Sequence, residues 1–214
     1  MKRFAIIVAG GSGTRMKSDV PKQFLRLDGI PIIIRTLERF KEADDSISLI
    51  VVLPEPHFSL WEELERDFPI VTQVQVVFGG ETRSDSVRAG LDAIDENGLV
   101  AIHDAVRPFV PSETILESYT SAQKYGSGVA YVALKDSLRK RLSSSTSEAR
   151  NREEYVLVQT PQTFRVDALK DAYSKAGSAS FSDDATVFER AGNEVFLVPG
   201  SYENIKITTP EDIK

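Results

Sequence analysis

Short apolar runs alternate with amphipathic stretches along most of this chain. Residues 4–8, 49–53, 74–78, 99–103 and 128–133 are apolar on both faces, the pattern of strands in a parallel sheet covered on two sides. Between them, 31–41, 57–67, 84–94 and 112–125 carry helical spacing, with Val87, Leu91 and Ile94 on one side of the third helix. Pro31 sits in a first helical turn, Ser112 is placed as an N-cap, and Pro54 and Pro56 stop the second strand. The rhythm resumes with helices at 166–176 and 184–191 and a strand at 194–198. This alternation predicts an α/β fold, a three-layer, Rossmann-like, mostly parallel sheet in a single domain spanning 1–214.

The pattern breaks over 135–152, which is polar, holds Ser143, Ser144 and Ser145, and carries Lys135, Arg139, Lys140, Arg141, Arg150 and Arg152. Such a segment is either a surface loop or a projecting hairpin with legs at 137–140 and 155–158. A projecting β-arm exposes its edges unless it packs against something. A dimerisation arm at about 135–156, and hence a homodimer, is the expectation.

Composition narrows the chemistry. The chain of 214 residues has no cysteine, which removes disulfides, thiolate metal sites and cysteine nucleophiles. The apolar run after Lys2 and Arg3 is too short for a signal peptide, and no run reaches membrane-spanning length, so a cytoplasmic protein without membrane contact is expected. A net charge of −6 argues against nucleic acid as a partner. Phosphate binding must then rest on a few concentrated cations.

The first strand runs into such a concentration. Ala9, Gly10, Gly11 and Gly13 form a glycine-rich loop carrying Arg15, and Pro21 then fixes the start of Lys22. Bare backbone N–H groups and two cations suit a nucleoside triphosphate. The loop lacks the Gly-Lys-Ser/Thr ending of a P-loop, and Met16 stands where the Rossmann fingerprint has its third glycine. Other polar clusters also follow predicted strands, at the edge where open α/β sheets bind ligands. Gly79 to Ser86 suits either helix capping or base and ribose recognition. Asp104 and Arg107 suit a structural ion pair, or a Mg²⁺ ligand beside an anion-binding guanidinium. His103 closes an apolar strand and reads as structural. Asp183 and Asp184 read as a helix cap, Lys206 as a solvated strand residue, and Gln159 to Gln162 is a weak cluster alone. No serine nucleophile elbow is present, and two histidines are too few for a histidine metal site.

Taken in order, Ala9-Gly10-Gly11-x-Gly13-x-Arg15-Met16, Pro21-Lys22-Gln23, Arg83-x-Asp85-Ser86-Val87, His103-Asp104-Ala105-x-Arg107-Pro108, Thr160-Pro161-Gln162 and Asn204-Ile205-Lys206-Ile207-Thr208 resemble the 2-C-methyl-D-erythritol 4-phosphate cytidylyltransferase family of non-mevalonate isoprenoid synthesis. The resemblance runs from Ala5 to Asp212. It implies a nucleotidyltransferase in which a phosphate oxygen of the substrate attacks the α-phosphorus of CTP and pyrophosphate leaves, with Mg²⁺ as cofactor. It implies Arg15 and Lys22 as catalytic cations, and CTP contacts from Ala9, Gly10, Gly11, Gly13, Gly80, Glu81, Ser86, Asp104 and Ala105. Asp104 is also implied near the metal, which is carried mainly by the CTP phosphates. Arg107, Ser137, Arg152, Thr160 and Lys206 match positions that hold the polyol phosphate, Arg152 being delivered by the partner subunit's arm. Ser137 replaces the family's threonine, and Asn151 precedes Arg152 where an aspartate is usual, which makes Arg150 the alternative arm residue. Relatives usually continue a C-terminal helix beyond the position of Lys214, so a shortened helix is expected. A ribitol-5-phosphate cytidylyltransferase shares nearly all these motifs and is the alternative activity. A silent nucleotide-binding protein is the alternative of another class, disfavoured because Arg15 and Lys22 are both present.

Overall fold

The computed structural model describes residues 1–10, 20–177 and 181–213. The chain begins with β1 (Arg3–Val8), the two-residue strands β2 (Arg26–Leu27) and β3 (Ile30–Pro31), α1 (Ile32–Ala43) and β4 (Ser48–Leu53). There follow α2 (Phe58–Glu65), β5 (Val74–Phe78), α3 (Arg83–Asp92), β6 (Leu99–Asp104), α4 (Ser112–Tyr125) and β7 (Ser127–Ala133). After β8 (Leu138–Arg141) and β9 (Ser147–Arg150) come β10 (Val156–Arg165), α5 (Val166–Ala176), α6 (Asp184–Arg190) and β11 (Leu197–Pro199). Among the described residues the central sheet has the order β11-β7-β10-β6-β1-β4-β5. All neighbours are parallel except β10, which runs antiparallel to both β6 and β7.

Strand periodicity divides the core into two layers. Ala5 and Ile7 of β1, with Leu49 and Val51 of β4, face Ile33, Leu37, Phe40 and Tyr119 of α1 and α4. Phe4, Ile6, Ile50 and Val52 face the opposite way, onto Val87, Leu91, Leu169 and Phe188 of α3, α5 and α6. Because the central strands β1, β4 and β6 are covered on both faces, their runs are continuously apolar rather than alternating. Gly90 lies inside α3 because a Cβ there would come within 2.8 Å of Ile6 Cγ2, so the helix seats directly on β1. No helix among the described residues is long and apolar enough to cross a membrane.

The structure corrects several sequence expectations. The two legs of the projecting hairpin are β8 and β9, with Leu138 opposite Arg150 and Arg141 opposite Ser147. Residues 155–158 are not a leg; Val156 to Val158 open β10, with Val156 opposite Ala133 of β7. That strand was hidden because Pro161 interrupts it, and a proline cannot donate to a ladder. The register shifts between Val158 and Gln162, around that proline. The α4 N-cap is Pro111, without a side-chain cap, rather than Ser112. The last strand is shorter and later than expected, at Leu197–Pro199. Lys206 lies in no strand.

Candidate active site

The carboxyl ends of β1 and β6 and the segment between β5 and α3 open onto a cleft of about 340 Å³, within the usual range for a small-molecule site. Its floor is the end of β1, Val8 to Gly10, beside Asp104 to Val106 at the end of β6. The ladder continues past the strands, as Ala9 N donates to Val52 O at 2.8 Å and Ala105 N to Val8 O at 3.1 Å. Buried Gln23 closes the start of the loop, its Nε2 donating to Ala9 O at 2.7 Å. Lys22 also lines the cleft, with Nζ 3.2 Å from Ile207 O. Arg15, Gly11 and Gly13 lie outside the described residues.

The opposite wall is built by a helix cap. Thr82 caps α3, accepting from Asp85 N at 3.1 Å, while the Asp85 carboxylate accepts from Thr82 N and Oγ1 at 3.2 and 2.7 Å. This box presents Gly80, Glu81 and Ser86 to the cleft. Gly80 packs so closely that a Cβ would lie 2.4 Å from Asp85 Cβ. This segment is thus a helix cap that also lines the cleft.

A second cleft of about 250 Å³ adjoins the first. Arg107, Thr160 and Asp183 line it, and Arg83, Asp104 and Lys206 belong to both clefts. Asp104 is the hub. Its Oδ2 lies 3.1 Å from Lys206 Nζ and 3.2 Å from Arg107 Nε, and Oδ1 lies 4.0 Å from Arg83 Nε. Burial would raise this carboxyl, but Lys206, Arg83 and Arg107 together hold it well below the usual carboxylate range. Thr160 Oγ1 accepts from Asp104 N at 3.1 Å and so places β10 against β6. The 204–208 segment is fixed by buried Asn204, whose Nδ2 donates to Thr160 O at 2.8 Å, and by Ile207 N donating to Val106 O at 2.9 Å. Arg107 Nη1 donates to Asn204 O at 2.7 Å. Lys206 is therefore an ion-pairing residue at the cleft wall and not a solvated strand face.

Asp104 and Arg107 form the ion pair of the first reading, and both line the second cleft. His103 is fully buried, 5.0 Å from the Phe40 ring centroid and edge-on to it, as its structural reading expected. Asp183 caps α6, accepting from Thr186 N at 3.1 Å. Asp184 is fully buried and meets Arg83 Nη2 at 2.7 Å. Arg83 and Gln23 stand in the sequence motifs, yet neither has a role legible from sequence. The usable signal for Arg83 was a capping sequence directly after a strand end.

Ser137 and Arg152 line neither cleft in this chain. Both are exposed at the base of the hairpin, where Arg152 Nη1 donates to Lys135 O at 2.5 Å. Arg150 pairs with Glu148. As for a divalent cation, no group of three or more acidic or histidine side chains converges among the described residues. Asp104 Oδ1 is the less engaged oxygen of the hub, and it suits a Mg²⁺ whose other ligands come from a triphosphate and water.

Comparison with known proteins agrees along the whole chain. The model of the 2-C-methyl-D-erythritol 4-phosphate cytidylyltransferase family matches residues 4–214. Proteins carrying that name from Bacteroides thetaiotaomicron and Phocaeicola vulgatus are 45% and 44% identical over 214 residues, covering all of this chain and 97% of each relative. The crystal structure of the cytidylyltransferase of that name from Thermus thermophilus superposes with a TM-score of 0.82 at 30% identity, over 100% of this chain and 96% of that one. The 4-diphosphocytidyl-2C-methyl-D-erythritol synthase of Anaerococcus prevotii gives 0.83 at 30% identity, over 98% and 92%. With the motifs, the sheet order and these full-length likenesses in agreement, the chain belongs to the 2-C-methyl-D-erythritol 4-phosphate cytidylyltransferase family.

Proposed function

We propose that this protein transfers the cytidylyl group of CTP to 2-C-methyl-D-erythritol 4-phosphate, giving 4-diphosphocytidyl-2-C-methyl-D-erythritol and pyrophosphate. The step would serve isoprenoid precursor synthesis by the non-mevalonate route. The observation that carries this is the pair of adjoining clefts with a common wall of Arg83, Asp104 and Lys206. Two phosphorylated ligands meet where the shared cations stand. Family membership supplies the identity of both ligands.

The chemistry is a substitution at phosphorus. A phosphate oxygen of the polyol phosphate forms a bond to the α-phosphorus, the bond from that phosphorus to the bridging oxygen of pyrophosphate breaks, and no covalent enzyme intermediate is needed. Catalysis then consists of positioning two anions and stabilising the charge that builds on the α-phosphate oxygens. We assign that stabilisation to Arg15 and Lys22. Ala9, Gly10, Gly11 and Gly13 are assigned to the nucleotide phosphates, and Gly80, Glu81 and Ser86 to the cytosine. Asp104 and Ala105 are assigned to the ribose side. Arg107, Thr160 and Lys206 would hold the polyol phosphate, with Ser137 and the partner's arm completing its site through Arg152 or Arg150 in a homodimer. Mg²⁺ would neutralise the triphosphate and ease departure of pyrophosphate, with Asp104 as its protein ligand. We place the enzyme in the cytoplasm.

The test is pyrophosphate release from CTP and Mg²⁺ with either 2-C-methyl-D-erythritol 4-phosphate or ribitol 5-phosphate. Faster turnover of the branched polyol is expected. Equal or faster turnover of ribitol 5-phosphate would overturn the substrate assignment, and no turnover of either would overturn the enzyme.

A further inference from the structure

Arg83 joins two parts of the molecule that the proposed chemistry does not otherwise connect. It is the first residue of α3, directly after the Thr82 cap, and Asp184 is the first residue of α6, directly after the Asp183 cap. The guanidinium stands between two carboxylates, with Nη2 2.7 Å from Asp184 Oδ2 and Nε 4.0 Å from Asp104 Oδ1. Its Nη1 is buried and has no hydrogen-bond partner among the described residues, where the carboxylates are what hold the group in place.

Asp184 is itself immobile. Its Oδ1 accepts from Tyr173 Oη at 2.6 Å, and its backbone N–H donates to Gln162 Oε1 at 3.0 Å, as does that of Ala185 at 2.9 Å. Elements α5, β10 and α6 thus fix one carboxylate, and Arg83 transmits that fixed point to the other. On the far side, Asp104 Oδ2 is what Lys206 Nζ and Arg107 Nε face. The Lys206 side chain is 41% exposed, and this is the ion pair that directs it. Asp104 thus turns Oδ1 toward Arg83 and Oδ2 toward both cations.

We propose that Arg83 is a positioning residue for the polyol-phosphate cleft, acting through Asp104 on Lys206 and Arg107, with Asp184 as its anchor. This rests on the proposed function for the name of the substrate. Apart from that name, the proposal needs only an anion held by Lys206 and Arg107. A guanidinium is needed rather than an ammonium, because only a planar fork reaches two carboxylates on separate elements at once.

Arg83→Lys separates this role from mere stability. Lysine keeps a cation for buried Asp184 but not the second reach to Asp104. The expected result is a melting temperature near that of the parent and kcat/KM for the polyol phosphate reduced about tenfold or more, a larger loss than that in kcat/KM for CTP. Asp184→Asn, which keeps Arg83 but removes its anchor, should shift the same parameter in the same direction. Unchanged polyol-phosphate kinetics in a folded Arg83→Lys protein would overturn the proposal, as would a loss confined to CTP. If the parent turns over neither polyol, the proposed function fails and calorimetric titration with inorganic phosphate decides the positioning role. Affinity about tenfold weaker in Arg83→Lys supports it, and equal affinity refutes it.

Discussion

Acidification gives a test of the buried end of β6. His103 Nε2 lies 3.2 Å from Arg107 O, and a carbonyl only accepts, so the proton of the neutral ring is on Nε2. Nδ1 is buried without a partner among the described residues. A second proton would therefore place charge on a ring in contact with Phe40 and with no acceptor for the new N–H. Burial pushes His103 from 6.5 down to about 4, although the Asp104 carboxylate beside it opposes the shift. The sign follows from proton counting. Between those two values the unfolded chain holds a proton on this residue that the native protein does not, so stability is fully present above 6.5 and falls as pH drops toward 4. The whole interval corresponds to about 3 kcal/mol, of which about 2 kcal/mol is already lost at pH 5. For a chain of this size that is about 4–8 °C in Tm. The assay is thermal unfolding of the parent and of His103→Gln between pH 7.5 and 5. Glutamine retains an amide donor for Arg107 O but cannot titrate. His57, the other histidine, is also lowered by burial, but it is common to both proteins and cancels. The parent should lose more Tm than the variant, by about 4–8 °C. Parallel curves would refute the claim that this imidazole is forced to stay neutral.

Three other outcomes are expected. Gly80→Ala forces a Cβ to within 2.4 Å of Asp85 Cβ and must open the Thr82 cap, so KM for CTP should rise about tenfold; an unchanged KM would show that the cap does not shape the nucleotide cleft. Lys22→Ala should lower kcat by about 10²–10³ while KM for CTP stays within about threefold, and equal loss of ground-state CTP affinity would remove its assignment to the transition state. Removing residues 139–151 should leave a folded monomer by analytical ultracentrifugation, and a dimer of unchanged stability would end the assembly role of the arm.

The parallel half of the sheet was legible because burial on both faces leaves continuous apolar runs, as at Ile6 to Val8 and Ile50 to Val52. What the sequence concealed was β10. Its middle carries Gln159, Thr160, Pro161 and Gln162, polar or non-donating residues whose partners are distant in the chain. Gln162 receives two backbone N–H groups of α6, and Thr160 receives that of Asp104; neither contact has a local signature. The same reason explains Lys206. Flanked by isoleucines it has strand alternation, yet its environment is set by Asn204 pairing with Thr160 and by Ile207 pairing with Val106. The Asp183 cap and the Thr82–Asp85 box, whose partners lie within three residues, were readable directly.

The place of the projecting hairpin in the connectivity has a consequence for how the protein can vary. Strands β7 and β10 are antiparallel neighbours, so the chain leaving Ala133 returns beside itself at Val156. Everything from 134 to 155 is thus an elaborated turn, inserted where the sheet is already closed. Lengthening such a connection costs only about 0.6 kcal/mol for each doubling and leaves every other strand in register. The arms of two relatives should then be exchangeable as cassettes while the nucleotide cleft at the ends of β1 and β6 keeps its shape.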